Sequence, residues 1–362
     1  MKGSEIALVT LMRENPGAPC INYSWMTSSS YMSNVAGRDY WVDREGVFFE
    51  YLRQSGINLV PQWYFPGDAH RNLEDGHMMH EHRPGGMEEI SNPEDILQII
   101  DRLPSDSDVE AKFDIETTAQ DYADKLRKRI GRARGEVLFI DGFGQANFMG
   151  GYSRWGYENY LIAIMDYPEA MRRYYHHTAL QGRLRNEAIV LACEKYGIAP
   201  FVYGGQDICA SSGPIVSPQI LRHLYFPELK WAMEPLVENG LGVIWHCDGN
   251  INPILVDILD LGVVGLQGFE EEHGVNYDEI VKLKDRTARP IGVWGCVSVT
   301  STLPHGTVDD VKRSVERSFT LAGKGRGFVL SSTSSVMPEV PHENIDMLFK
   351  HGREFGADFL SG

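Results

Sequence analysis

Short apolar runs rich in Val, Ile, Phe, Tyr and Trp alternate along the chain with longer amphipathic or polar stretches, and the alternation occurs eight times. The apolar runs predict strands at 19–25, 57–63, 136–141, 199–205, 242–245, 263–267, 289–294 and 327–331. The stretches between them carry helix signals. One amphipathic helix is predicted over 1–16, stopped by Asn15-Pro16-Gly17, and others over 43–55 before Gly56 and over 117–134. Asp166-Tyr167-Pro168-Glu169 reads as a capping box that opens a helix ending at Tyr196-Gly197. Ser217-Pro218 opens another that runs to Gly240, with a break at Pro227 and a kink at Pro235. A short helix is predicted over 278–284. Thr307 and Asp310 cap a helix whose stripe is Val308, Val311, Val315 and Phe319, and a last helix presents Ile345, Leu348 and Phe349. The polar run 27–33 predicts a loop.

Only between 64 and 113 is the pattern lost, apart from a helical stretch near 93–103. This segment holds His70 and the run His77-Met78-Met79-His80-Glu81-His82, whose spacing without cysteine is a weak metal signal; a lid over or beside a site is the better expectation. Eight strand–helix repeats with no break in composition predict an α/β fold, a single (β/α)8 TIM barrel over 1–362 with an N-terminal extension and 64–113 as an inserted lid. An open doubly wound sheet fits less well, because no GxGxxG follows the first strand and polar groups recur at nearly every strand end.

Charge and cysteine content narrow the function classes. A formal net charge of −16 with no basic cluster repels phosphate backbones, so nucleic acid is not an expected partner. No stretch approaches the roughly 20 apolar residues of a membrane span and the first residues lack a signal-peptide core, so a cytoplasmic protein is expected; a homodimer stays open. Five cysteines without a CxxC pair point to reduced thiols rather than a disulfide framework or a zinc ribbon.

Candidate chemistry concentrates at 242–250, GVIWHCDGN, where an apolar strand delivers His246, Cys247 and Asp248 to its C-terminal lip, ahead of a turn and a helix opening near Pro253. A lone His in such a place is more often a core residue satisfied by one hydrogen bond, but three groups capable of ligation in three residues favour a site. Other strand ends carry Asp141, Gln206-Asp207, Glu270 within Glu270-Glu271-Glu272-His273, and Cys296. His246, Asp248, Glu270 and Asp207 are the catalytic candidates, and Asp141, Gln206, Tyr203 and Trp294 are candidates for substrate contact. Strand aromatics such as the last two commonly pack in cores instead.

The C-terminal 160 residues resemble the uroporphyrinogen decarboxylase superfamily, in particular its cobalamin-dependent methyltransferases. The resemblance is carried by Asp207 with Gly213-Pro214-Ile215-Val216-Ser217-Pro218, by His246-Cys247-Asp248-Gly249-Asn250, and by Gly265-Leu266-Gln267 with Glu270. It continues through Trp294-Gly295-Cys296, Gly306-Thr307-Val308-Asp309-Asp310-Val311 and Pro338 with Pro341-His342-Glu343-Asn344. It implies a (β/α)8 barrel. The carboxylate-gripping Arg-rich motif of the true decarboxylases is missing from the N-terminal region, which reads Pro19-Cys20-Ile21-Asn22-Tyr23-Ser24-Trp25. The resemblance therefore favours a methyltransferase that moves a methyl group between a small, methoxy-type compound and the cobalt of a corrinoid protein partner. A lyase acting on a different carboxylic acid is the alternative. In that branch a His-x-Cys pair and a later Cys hold zinc; here Asp248 and Ser335 stand at the two cysteine positions. His246, Asp248, Glu270 and Cys296 are the expected substitute zinc ligands.

Overall fold

The computed structural model describes residues 1–67, 71 and 90–362, so the His77–His82 run lies outside the described residues. All eight apolar runs form strands, and a two-stranded hairpin is added to them. In chain order the strands are β1 (Cys20–Ile21), β2 (Leu59–Pro61), β3 (Leu138–Ile140), β4 (Phe201–Gly205), β5 (Cys209–Ala210), β6 (Gly213–Pro214), β7 (Gly242–His246), β8 (Gly265–Gln267), β9 (Gly292–Val297) and β10 (Val329–Ser332). Apart from the antiparallel β5–β6 hairpin, every strand pairing described below is parallel. Parallel neighbours need a crossover, and here helices supply it, which makes the fold α/β.

The chain divides into two compact units. The first comprises the described parts of 1–81 together with 125–141 and 264–362. Within it β8 pairs with β9, β9 with β10 and β10 with β1; a bridge from Asn22 to Leu59 joins the end of β1 to β2, which pairs with β3. The strands are apolar on consecutive positions because both faces are covered, so β9 is buried along its whole length. The helix Gly3–Leu11 packs on β1 and β3, and Arg13 behind it forms a buried ion pair with Asp285. The second unit comprises the described parts of 82–124 with 142–263. There β4 and β7 pair in parallel from Phe201–Gly242 to Gly205–His246. The 29-residue helix Pro168–Tyr196 packs against the helix Phe226–Glu238, and the buried Asn186 amide ties it to Gly144 and Ala232 backbone groups.

Several local expectations change. The run 27–33 is not a loop: Ser29–Ala36 is a helix whose Ser28 cap accepts from Tyr31 N–H and which ends at Gly37 with φ 64°. Serine is a weak helix former but a strong cap, and burial of Tyr31 and Met32 outweighs the polar composition. Asp166 closes the helix Tyr157–Asp166 instead of capping the next one, and Pro168–Tyr196 begins without a side-chain cap. The helices Met149–Trp155 and Asp106–Lys112 are also additional. The expected break is absent: the chain stays helical from Pro218 through Glu238, uninterrupted by Pro227. Having no N–H, Pro227 cannot close the regular ladder, and the preceding Leu221–Tyr225 widens into a π-helix.

Candidate functional site

β4 and β7 are in register to their last residues, so the chain leaves both strands at the same level: into Gln206-Asp207 from one and Cys247-Asp248 from the other. Gly205 makes this possible, since a Cβ there would stand 1.7 Å from the His246 carbonyl oxygen. The β5–β6 hairpin then folds back so that Asn250 N–H donates to the Ala210 carbonyl (3.0 Å) and Asp248 N–H donates to Asp207 Oδ1 (3.2 Å). Gly249, with φ 80° and a would-be Cβ 2.7 Å from that same Ala210 carbonyl, lets the two loops touch.

These constraints gather Asp207, His246 and Asp248. His246 Nε2 is 3.5 Å from Asp207 Oδ1 and 3.5 Å from Asp248 Oδ1, and one ligating atom from each residue lies within 4.8 Å of the others. All three side chains keep access to solvent, at 20%, 33% and 35% exposure respectively for His246, Asp207 and Asp248. Among the described residues this is the one group of three or more His, Cys, Asp or Glu side chains so arranged. Donors about 2.0–2.2 Å from a tetrahedral cation stand roughly 3.4 Å apart, so the two nitrogen–oxygen separations suit an imidazole and two carboxylates converging on a divalent ion. The donor set is borderline to hard, which fits zinc and also more oxygen-seeking divalent metals.

The surroundings in the same unit are aromatic and thiol-bearing. The buried Tyr203 ring lies near-parallel to His246, centroids 6.2 Å apart. Gln206 is buried and its Oε1 accepts from Met149 N–H (2.9 Å). Tyr152 donates its hydroxyl to the Asp207 carbonyl (3.2 Å) and stacks on Tyr157 at 4.4 Å; burial, then the Asp207 charge, push its phenol well above the ordinary range, so it remains a donor. The Cys247 thiol is raised by contact with the Cys209 thiol and by burial, and it donates to the Asp248 carbonyl at 3.2 Å. Tyr152 and Cys209 carry no motif of their own in the sequence. Only the recurrence of a thiol close to a carboxylate, in Asp207-Ile208-Cys209 and in Cys247-Asp248, hints at the second.

The remaining sequence candidates belong to the first unit, each with partners there. Glu270 is buried, with Oε2 3.0 Å from His273 Nδ1. Cys296 points toward the helix Val308–Ala322, its Sγ 3.8 Å from Ser318 Oγ and 3.9 Å from Glu271 Oε2, and burial followed by the Glu271 charge pushes its thiol up to about 12. Trp294 is fully buried within β9. Asp141 receives Lys125 and Arg129. Of the four expected metal ligands, the metal-spaced cluster thus contains His246 and Asp248, together with Asp207.

The site lies within a stretch of defined kinship. The sequence profile of "Uroporphyrinogen decarboxylase (URO-D)" matches residues 192–355, which bears out the family resemblance over the C-terminal part of the chain. No curated protein sequence matches the chain. Among solved structures, a methyltransferase from Methanosarcina mazei shares the fold at a TM-score of 0.64 and 17% identity, with 98% of this chain and 99% of that one covered. D-psicose 3-epimerase, in a structure determined in the presence of D-fructose, overlaps 95% of this chain and 100% of its own at 10% identity, with a TM-score of only 0.37.

Proposed function

We propose that the protein is a methyltransferase of the uroporphyrinogen decarboxylase superfamily, moving a methyl group between a small methoxy compound and the cobalt of a corrinoid carried by a partner protein. In this reading the eight strands close into one barrel and the reaction takes place at their C-terminal ends. The observation that carries it is the Asp207–His246–Asp248 cluster, metal-spaced, open to solvent and inside the matched stretch. Those three residues would hold zinc. When bound, the ion supplies Lewis acidity at the ether oxygen, whose departure as a bare alkoxide is otherwise slow.

The chain's own residues do the rest. Tyr203 backs the His246 ring and fixes its plane. Asp207, anchored through Asp248 N–H and with its carbonyl held by Tyr152, keeps its carboxylate beside the His246 Nε2 atom so that both can reach one ion. In the version of this reading without a metal, Glu270 instead would be the acid that protonates the leaving oxygen.

Two measurements test this. Purified protein should contain close to one divalent metal per chain, and methyl transfer to a reduced corrinoid protein should be seen spectroscopically with some aryl or alkyl methyl ether. Absence of both metal and methyl transfer, with carbon dioxide released from a carboxylic acid instead, would assign the protein to the lyases.

A further inference from the structure

Directly behind the cluster sit two thiols that the proposed reaction does not use. Cys209 opens the β5–β6 hairpin two residues after Asp207, and Cys247 lies between His246 and Asp248. Both are buried, at 7% and 1% exposure, and their side chains are hydrogen-bonding neighbours. The juxtaposition is built into the fold. β4 and β7 end in register, Asn250 N–H is bound to the carbonyl of Ala210, and Gly249 approaches the Cys209 and Ala210 backbone so closely that a side chain would not fit. The two cysteines are distant in sequence and form no CxxC motif, so the contact of their thiols comes from the fold and not from local sequence.

We propose that Cys209 and Cys247 form an intramolecular disulfide under oxidising conditions, and that closing it dismantles the cation site; the second half rests on the reading of Asp207, His246 and Asp248 as ligands. With hydrogen peroxide as oxidant, the less buried Cys209 sulfur attacks one peroxide oxygen, giving a sulfenic acid and releasing water. The Cys247 sulfur then displaces the hydroxyl as a second water. Two thiols and one peroxide become one disulfide and two waters, and a dithiol reductant reverses the change. Sulfurs in hydrogen-bonding contact must close to about 2.05 Å to bond. Closing the bond takes the Cys247 sulfur from the Asp248 carbonyl to which it donates at 3.2 Å and so loosens the turn that carries His246 and Asp248, whereas ligand positions in a metal site tolerate about 0.2 Å.

The test uses the full chain. After peroxide treatment and alkylation of remaining thiols, peptide mapping should show 209 joined to 247 with the loss of two hydrogens. Optical titration with Co2+ should show at least tenfold weaker binding in the oxidised than in the reduced protein, restored by dithiothreitol. Cys209→Ser, checked for an unchanged melting profile, should form no crosslink and keep its Co2+ affinity after peroxide; if it melts early, Cys209→Ala serves instead. Both thiols still open to alkylation after peroxide and denaturation would overturn the disulfide. A crosslink with unchanged Co2+ affinity would overturn the gating. A crosslink in a protein that binds no Co2+ even when reduced would leave the disulfide standing and remove the cation reading.

Discussion

His246 follows four buried residues of β7 yet keeps a fifth of its side chain in solvent, with two carboxylate oxygens each 3.5 Å from Nε2. An imidazole so placed is held for ligation or charge pairing, because a buried polar atom left without partners costs about 1–3 kcal/mol. His246→Ala should lose the bound divalent metal and reduce methyl transfer at least a hundredfold, with circular dichroism and melting temperature nearly unchanged. Metal retained at full stoichiometry would move the site elsewhere. His246, Asp248 and Asp207 are legible in the sequence because each follows an apolar run. Less legible is which way a strand-end side chain faces. Successive residues of a strand point to opposite faces, so the position of Cys296 near the end of β9 did not reveal that its thiol turns toward the Ser318 helix. In the first unit, Asp285 shows residue-scale electrostatics with a clear sign. Burial opposes its ionisation, but hydrogen bonds from Thr287 and Arg13 win and hold its carboxylate below the usual range. The stability it contributes is present above the unfolded value of about 3.9 and is lost as pH falls through the lowered native one. Arg13→Ala should cost about 3–5 kcal/mol by denaturant titration and move acid unfolding to higher pH; an unchanged acid midpoint would refute this account.

Elements are positioned here by close approaches that only glycine permits. At Gly205 an added methyl would collide with the backbone of the neighbouring strand rather than with a yielding side chain. Gly205→Ala should therefore spread β4 from β7, cost about 1–3 kcal/mol, and weaken metal binding more than the loss of stability explains. Equal effects on both would mean that the strand spacing does not set the ligand geometry. Such contacts have no sequence signature beyond the glycine itself, whereas the strands were readable as apolar runs and the long helices as capped, periodic ones. Two of the helices that the sequence pattern does not show, Ser29–Ala36 and Met149–Trp155, are short and polar or glycine-containing, and burial against neighbours decides them. Three helices of the second unit meet at His176, whose two nitrogens face Asp106 and Glu228. Desolvation lowers its pKa, but the two carboxylates outweigh that and raise it overall. The stabilisation this group gives is full below about pH 6.5 and fades as pH rises through the raised native value. His176→Gln should flatten stability against pH on the alkaline side of 6.5, a change visible in chemical denaturation at a series of pH values. A wild type whose stability does not fall there would contradict it.

At the scale of the whole molecule the chain's two ends belong to one unit. β1, near the N-terminus, pairs with β10, near the C-terminus, from Cys20–Val329 to Ile21–Leu330, and the bridge at Asn22 passes the sheet on to β2. The stretch before the second strand thus includes an interior strand of the first unit. Sequence reasoning found the β1 run but set the residues ahead of it apart as an extension, because an apolar run does not announce its sheet neighbours. Among the described residues no helix is long and apolar enough to cross a membrane, and that agrees with the absence of a span in the sequence. The energetic consequence of the β1 arrangement can be estimated. Residues 1–25 contribute the buried side chains of Ala7, Leu11, Cys20, Ile21, Tyr23 and Trp25. At about 1.5–3 kcal/mol for each large apolar side chain, their removal amounts to on the order of 10 kcal/mol, comparable to the whole stability of roughly 5–15 kcal/mol expected of a folded domain. Deleting residues 1–25 should therefore abolish cooperative thermal unfolding rather than merely lower its midpoint. A truncated chain that melts cooperatively within a few degrees of the full one would show that β10 does not need β1, and that the N-terminal stretch is an accessory after all.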